Sequence, residues 1–198
     1  MEKLKDKLTE IYYFFTVFSM LWYRLTMRLS KKIGSSVKKY NSIEEIPKAF
    51  NFGRKYRYDQ LFGTKSDHLT HPSMLQWRID NDQEFGDCDD HAIYWCVSLL
   101  KSGLAKKVWF AFFAMKKVDE ETGKVDRSGH AVCVFYGLDD QLYWCDYRDP
   151  RKIDKIEDFM YQSSASYKRD PIVGCIWVVN GLEKDDTPKF GKITRIKR

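Results

Sequence analysis

Between Gly86 and Gly103 the chain commits to an apolar helix that opens on a cysteine. Ala92, Ile93, Trp95, Cys96, Leu99 and Leu100 recur at near-helical spacing, and Gly103 marks a helix end. Upstream, Gly86-Asp87-Cys88-Asp89-Asp90-His91-Ala92 sets Cys88 in or just before the first turn, with Asp87, Asp89 or Asp90 as the cap. Unpaired N–H groups at a helix N-terminus favour negative charge, so a thiol there is biased toward the nucleophilic thiolate. Three neighbouring carboxylates push the other way. Position alone therefore does not activate Cys88, and a second group is required.

Gly129-His130-Ala131-Val132-Cys133-Val134-Phe135-Tyr136 reads as a strand with His130 at its start. A turn at Gly137-Leu138-Asp139-Asp140 returns the chain into Gln141–Tyr147, which predicts a β-hairpin with Asp139-Asp140 near its tip. Antiparallel pairing brings Asp146 beside His130. The order Cys88, His130, Asp146 offers a nucleophile, a base for its proton and a carboxylate to orient the imidazole. Asp149, before Pro150, competes for the last role; counting back along the hairpin favours Asp146.

These three elements resemble the transglutaminase-like cysteine hydrolase superfamily, a circularly permuted relative of the papain fold. Its members show Gly-Asp-Cys-x-Asp-x-Ala opening a buried helix, Gly-His-Ala on a strand, and Asp at the end of the next strand. Residues 86–92 match the first, Gly129-His130-Ala131 the second and Asp146 the third, and the likeness covers about residues 70 to 150. Bacterial transglutaminase-like cysteine peptidases, among them proteases that release proteins from cell surfaces, look like the nearest kin. The resemblance implies an oxyanion hole from the backbone N–H of Cys88 plus an upstream side chain, for which Gln76, Trp77 and Gln83 stand as alternatives. His91 follows the nucleophile closely, but helix side chains turn about 100° per residue, which points it away toward a surface or supporting role.

Asp80, Asp82 and Glu84 alternate ahead of the motif, and hard carboxylate oxygens suit calcium, on which some relatives depend. The EF-hand order is not met, so a solvated acidic loop is the plainer reading. Zinc has no support: the five cysteines form no Cys-x-x-Cys pair, and His68, His71, His91 and His130 are scattered.

Around this core the sequence predicts an α+β domain, its Cys88 helix packed on an antiparallel sheet in a papain-like, transglutaminase-like arrangement. Val108–Val118 reads as a strand, Asp119–Ser128 as a polar loop and Ile172–Val179 as the last strand. Ser42–Pro47 reads as a capped helical turn, and the aromatic and basic stretch Arg54–Asp67 could wall a cleft. Three parts follow: residues 1–40, an aromatic-rich docking or membrane-associated helix; 41–182, the catalytic domain; 183–198, a basic tail.

The run from Ile11 to Tyr23 is uncharged and rich in aromatic residues. As a helix it rises about 20 Å, short of a hydrocarbon core near 30 Å, and it lacks a signal-peptide cleavage site. An interfacial helix, a helix buried in a larger assembly and a tilted anchor all fit, beside simple packing on its own domain. The net charge of +6 is concentrated at the ends, with Arg24, Arg28, Lys31, Lys32, Lys38 and Lys39 unbroken by an acid up to Glu44 and Lys189, Lys192, Arg195, Lys197 and Arg198 at the close. No nucleic-acid-binding signature accompanies them, so acidic lipids or solvated tails fit better. An odd cysteine count without a secretory signal points to a cytoplasmic or otherwise reducing compartment.

The expected activity is hydrolysis of a peptide or amide bond in a protein or peptide substrate, without an obligatory cofactor. The same triad serves acyl transfer and transglutaminase crosslinking. A non-catalytic assembly component, such as a virion part that keeps the fold and docks through its N-terminal helix, is the rival from another class.

Overall fold

The computed structural model describes residue 7 and residues 22–50, 60–61, 64–65 and 69–197. Most of the uncharged run from Ile11 to Tyr23 and most of the stretch from Arg54 to Asp67 lie outside the described residues. In chain order the elements are α1 (residues 22–29), α2 (Glu45–Phe50), β1 (Gln60–Leu61), β2 (Thr64–Lys65), α3 (Pro72–Asp80), α4 (Cys88–Ser102), β3 (Ala105–Val118), β4 (Val125–Gly137), β5 (Leu142–Cys145), β6 (Arg151–Ile153), α5 (Asp158–Ser166), β7 (Asp170–Leu182) and β8 (Pro188–Lys197).

α4 is the predicted helix, and it is apolar over most of its circumference. Asp87 precedes it in an extended conformation, and Gly103 ends it at φ 67°, the left-handed conformation that glycine adopts without a Cβ penalty. Every residue from Asp89 to Leu99 is buried, so α4 needs cover on several sides. The sheet supplies one side through β4, β3 and β7, and α3 supplies another.

The sheet is antiparallel throughout, in the order β6-β5-β4-β3-β7-β8, and the fold is α+β. Its central strands alternate with period two, yet both sets are apolar. Val108, Phe110, Ala131, Cys133 and Phe135 join the core with Ile93, Trp95 and Leu99 of α4. Trp109, Ala111, Phe113, Val132 and Val134 join a second core with Phe159 and Met160 of α5. Helices therefore cover both faces, α4 on one and α5 on the other.

Several boundaries differ from the sequence reading. Residues 183–198 are not a tail, because β8 pairs with β7 from Leu182↔Pro188 to Val173↔Lys197, and Phe190 stacks on Trp177 at 3.7 Å between ring centroids. The basic residues between Phe190, Ile193 and Ile196 hide this strand, and register shifts break its alternation. The predicted loop at Asp119–Ser128 is a shorter turn, since Val125–Ser128 already pairs with β3. β7 is longer than Ile172–Val179 and is not the last strand.

No boundary falls at residue 40 either. Met27 is 1% exposed in the main core, and Thr26 Oγ1 hydrogen-bonds the backbone of Leu69. Beyond α1 the chain straps across α4. Val37 N–H donates to Asp186 Oδ2 at 2.8 Å, Lys38 N–H to Gln76 Oε1 at 2.9 Å and Tyr40 N–H to Ser102 Oγ at 2.8 Å. Asp186 also meets Lys101 Nζ at 2.7 Å. These contacts make the segment at 22–40 and the strand at 188–197 parts of one folded unit.

Candidate active site

His130 lies on β4 opposite Phe113 of β3, at a level that β5 does not reach. The last β4–β5 pair is Cys133 with Cys145, so Asp146 is the first residue past the strand. Continuing that register would seat Asp146 beside Val132, two residues from His130. A bend after Cys145 closes the gap and leaves Asp146 Oδ2 3.9 Å from His130 Nε2, an ion-pair distance. Both residues are 6% exposed, whereas Asp149 is exposed. Burial penalises the Asp146 carboxylate, but the His130 imidazole and the Tyr147 N–H at 2.7 Å outweigh it, and its pKa falls below the ordinary value.

Tyr167, the residue closing α5, completes this cluster and carries no motif by which the sequence could reveal it. Its ring stands edge-on to His130 at 5.1 Å, and its hydroxyl lies 3.4 Å from Nε2. Burial first, then the charges of Asp146 and Cys88, push its pKa up to about 12. Cys88, the first residue of α4, is thus within electrostatic reach of the same hydroxyl. Thiol and imidazole come from different layers: His130 packs with Phe113 on the α5 side, and Cys88 borders the α4 core. What relates them is Tyr167, whose hydroxyl lies near His130 Nε2 and feels the charge of Cys88.

Cys88 is half-buried, while Cys96, Cys133, Cys145 and Cys175 are buried and none forms a disulfide. Burial raises all four of the latter thiols, Cys175 to about 11. Cys88 is the accessible one.

His91 is not at the surface; of the two roles expected for it, the supporting one fits. It is 3% exposed, packed between Phe85 at 4.6 Å and Tyr147 at 4.8 Å, and Tyr147 lies 5.7 Å from His130. Burial drives its pKa down to about 3, despite an opposing pull from Asp146. It stands as a neutral ring behind the cluster. Its spacing of one helical turn from Cys88 is the signal that points it inward.

The acidic residues around Cys88 are largely internal. Asp90 accepts from Thr70 N–H at 2.8 Å and has Arg78 Nη1 3.8 Å away. Asp89 Oδ1 accepts the N–H of Asp90 at 2.9 Å, and Asp87 holds the cap position without a side-chain cap bond. Burial, then the Asp87 charge, raises both Asp89 and Asp90, Asp90 to about 7.

The three upstream oxyanion candidates are engaged elsewhere. Gln76 is fully buried; its oxygen accepts from Lys38 N–H and Tyr94 Oη, and its Nε2 donates to Asp80 Oδ1 at 2.9 Å. Trp77 has Lys32 Nζ 4.4 Å above its ring, and Gln83 is exposed with its Nε2 on Asn81 O. The Cys88 N–H, the other donor expected from the sequence, lies at the start of α4. Of the calcium candidates, Asp80 Oδ1 meets Lys38 Nζ at 2.6 Å, and Asp82 and Glu84 are exposed. Among the described residues, no group of three His, Cys, Asp or Glu side chains is arranged to hold a metal ion. No family model matches this chain, and comparison with curated proteins and with solved structures finds no similar protein.

Proposed function

We propose that the chain is a transglutaminase-like thiol hydrolase, with a papain-like core, that cleaves a peptide or amide bond in a protein or peptide substrate. The observation that supports this reading is the buried His130–Asp146 pair, linked through the Tyr147 ring to His91 in the first turn of the helix that begins with the half-buried Cys88. In this reading Asp146, on the Nε2 side at 3.9 Å, orients the imidazole, and Nδ1 takes the thiol proton. Cys88 Sγ attacks the carbonyl carbon and its proton passes to His130. The oxyanion forms near the α4 N-terminus, where the helix dipole and the Cys88 N–H favour it. Collapse breaks the C–N bond as His130 protonates the departing amine. Water, deprotonated by His130, then cleaves the thioester and restores the thiol. An amine in place of water would make the same steps a transfer.

The test is alkylation by iodoacetamide at neutral pH with the labelled site mapped by mass spectrometry. Cys88 is labelled first, and His130→Ala slows labelling by about tenfold or more by removing the imidazolium partner of the thiolate. Equal rates in the two proteins would sink the triad and favour the non-catalytic assembly reading.

A further inference from the structure

We infer that α1 and the turn that follows it form a docking surface for an anionic lipid membrane. The inference is independent of the triad. At about 100° per residue, α1 divides into three sectors. Tyr23, Thr26 and Met27 face the domain; Thr26 and Met27 are 6% and 1% exposed. Trp22, Leu25 and Leu29 form a second sector at 40%, 49% and 77% exposure, continued past the helix by Ile33 at 89%. Arg24 and Arg28 form the third. One face thus fixes the helix rigidly to the protein, while an apolar stripe beside a basic stripe faces outward. That layout suits a helix lying in a headgroup layer, with its apolar side chains below the phosphates and its cations level with them.

Charge argues for lipid over another apolar partner. Arg24 and Arg28 line a cavity of about 230 Å³ with Lys189 of β8, and Glu183 is the one acid lining it. Arg24 is pinned there, Nη2 3.5 Å from Phe190 O and its guanidinium 5.6 Å from the Trp177 ring. Three cations at a pocket mouth beside an exposed apolar stripe match a phosphate headgroup above acyl chains. No helix among the described residues is long and apolar enough to cross a membrane; the contact proposed is a peripheral one.

The experiment is co-sedimentation of the full chain with vesicles of phosphatidylcholine alone, or mixed with phosphatidylserine. Binding is expected to the mixed vesicles and to fall steeply with salt. Leu29→Asp/Ile33→Asp should weaken it roughly tenfold or more, and Arg28→Gln/Lys189→Gln about fivefold for each cation lost. All four residues lie off the core, and thermal melts verify that the variants fold. Quenching of Trp22 fluorescence by brominated lipid, read against Trp22→Phe, reports insertion without disturbing the stripe's charge. The inference is overturned if mixed vesicles leave the chain in the supernatant, or if both double variants bind like the parent. It is equally overturned if the lipid-free chain is a dimer that Leu29→Asp/Ile33→Asp dissociates, since a second copy would then own the stripe.

Discussion

The Asp90 carboxylate occupies the space that a side chain at residue 86 would need: a Cβ built on Gly86 collides with Asp90 Oδ2. Glycine two residues before the cysteine is therefore a packing requirement of the acid two residues after it. Gly86→Ala should displace Asp90 from the Thr70 N–H and lower stability by about 1–3 kcal/mol, since a buried donor loses its acceptor. Chemical denaturation measures this, and an unchanged midpoint would mean that Asp90 relaxes at no cost.

The two raised acids give stability a distinct pH dependence. Asp90 moves from 3.8 to about 7 on folding, so the folded chain holds an extra proton between those values. The stability from that proton is fully present below pH 3.8 and is lost as pH rises through about 7. Asp89 acts in the same direction. Asp146, whose pKa is lowered, acts oppositely: its contribution is present above pH 3.8 and is lost on further acidification. Melting temperature should therefore decline from about pH 4.5 to about pH 7.5 from these acids, and Asp89→Asn should flatten the decline. Parallel curves for the two proteins would count against Asp89 as a source.

Tyr167 should separate acyl transfer from alkylation. With its pKa at about 12 it stays protonated, and with Asp146 also facing His130 Nε2, 3.9 Å away, its hydrogen can turn toward an oxyanion near Cys88. Tyr167→Phe should slow acylation of Cys88 by an activated ester about tenfold or more, while alkylation, which builds no oxyanion, changes by about twofold or less. Equal slowing of both would assign Tyr167 to thiol activation.

Deleting residues 1–35 should unfold the domain or cost about 2–5 kcal/mol, because Met27 leaves a hole in the main core. Circular dichroism melts of the deletion and of Met27→Ala measure this. A deletion that melts like the parent would restore a boundary near residue 40.

What the sequence disclosed depended on how local each signal was. α4 was legible because its cysteine start, its apolar spacing and Gly103 all lie within one segment. The His130 hairpin was legible because a two-stranded turn is also local. β8 was not, since Lys189, Lys192, Arg195 and Lys197 read as a charged tail until β7 supplies their partner. Gln76 looked available for an oxyanion because nothing near it in sequence shows that residues 38, 80 and 94 already claim its amide. Tyr167 had no signature, and only the meeting of α5 with β4 gives it a role.

Asp185 and Asp186 hold Lys31, Ser36 and Val37. This knot joins segments about 150 residues apart in the chain, and it has a temporal consequence. On a ribosome, α4 and the β3–β4–β5 meander can form early from local contacts, but the strap over α4 stays unanchored until residues 185 and 186 have emerged. Through that interval the apolar helix bearing Cys88 lacks part of its cover. Closure over α4 thus waits for residues 185 and 186 to emerge, however early the helix itself has formed.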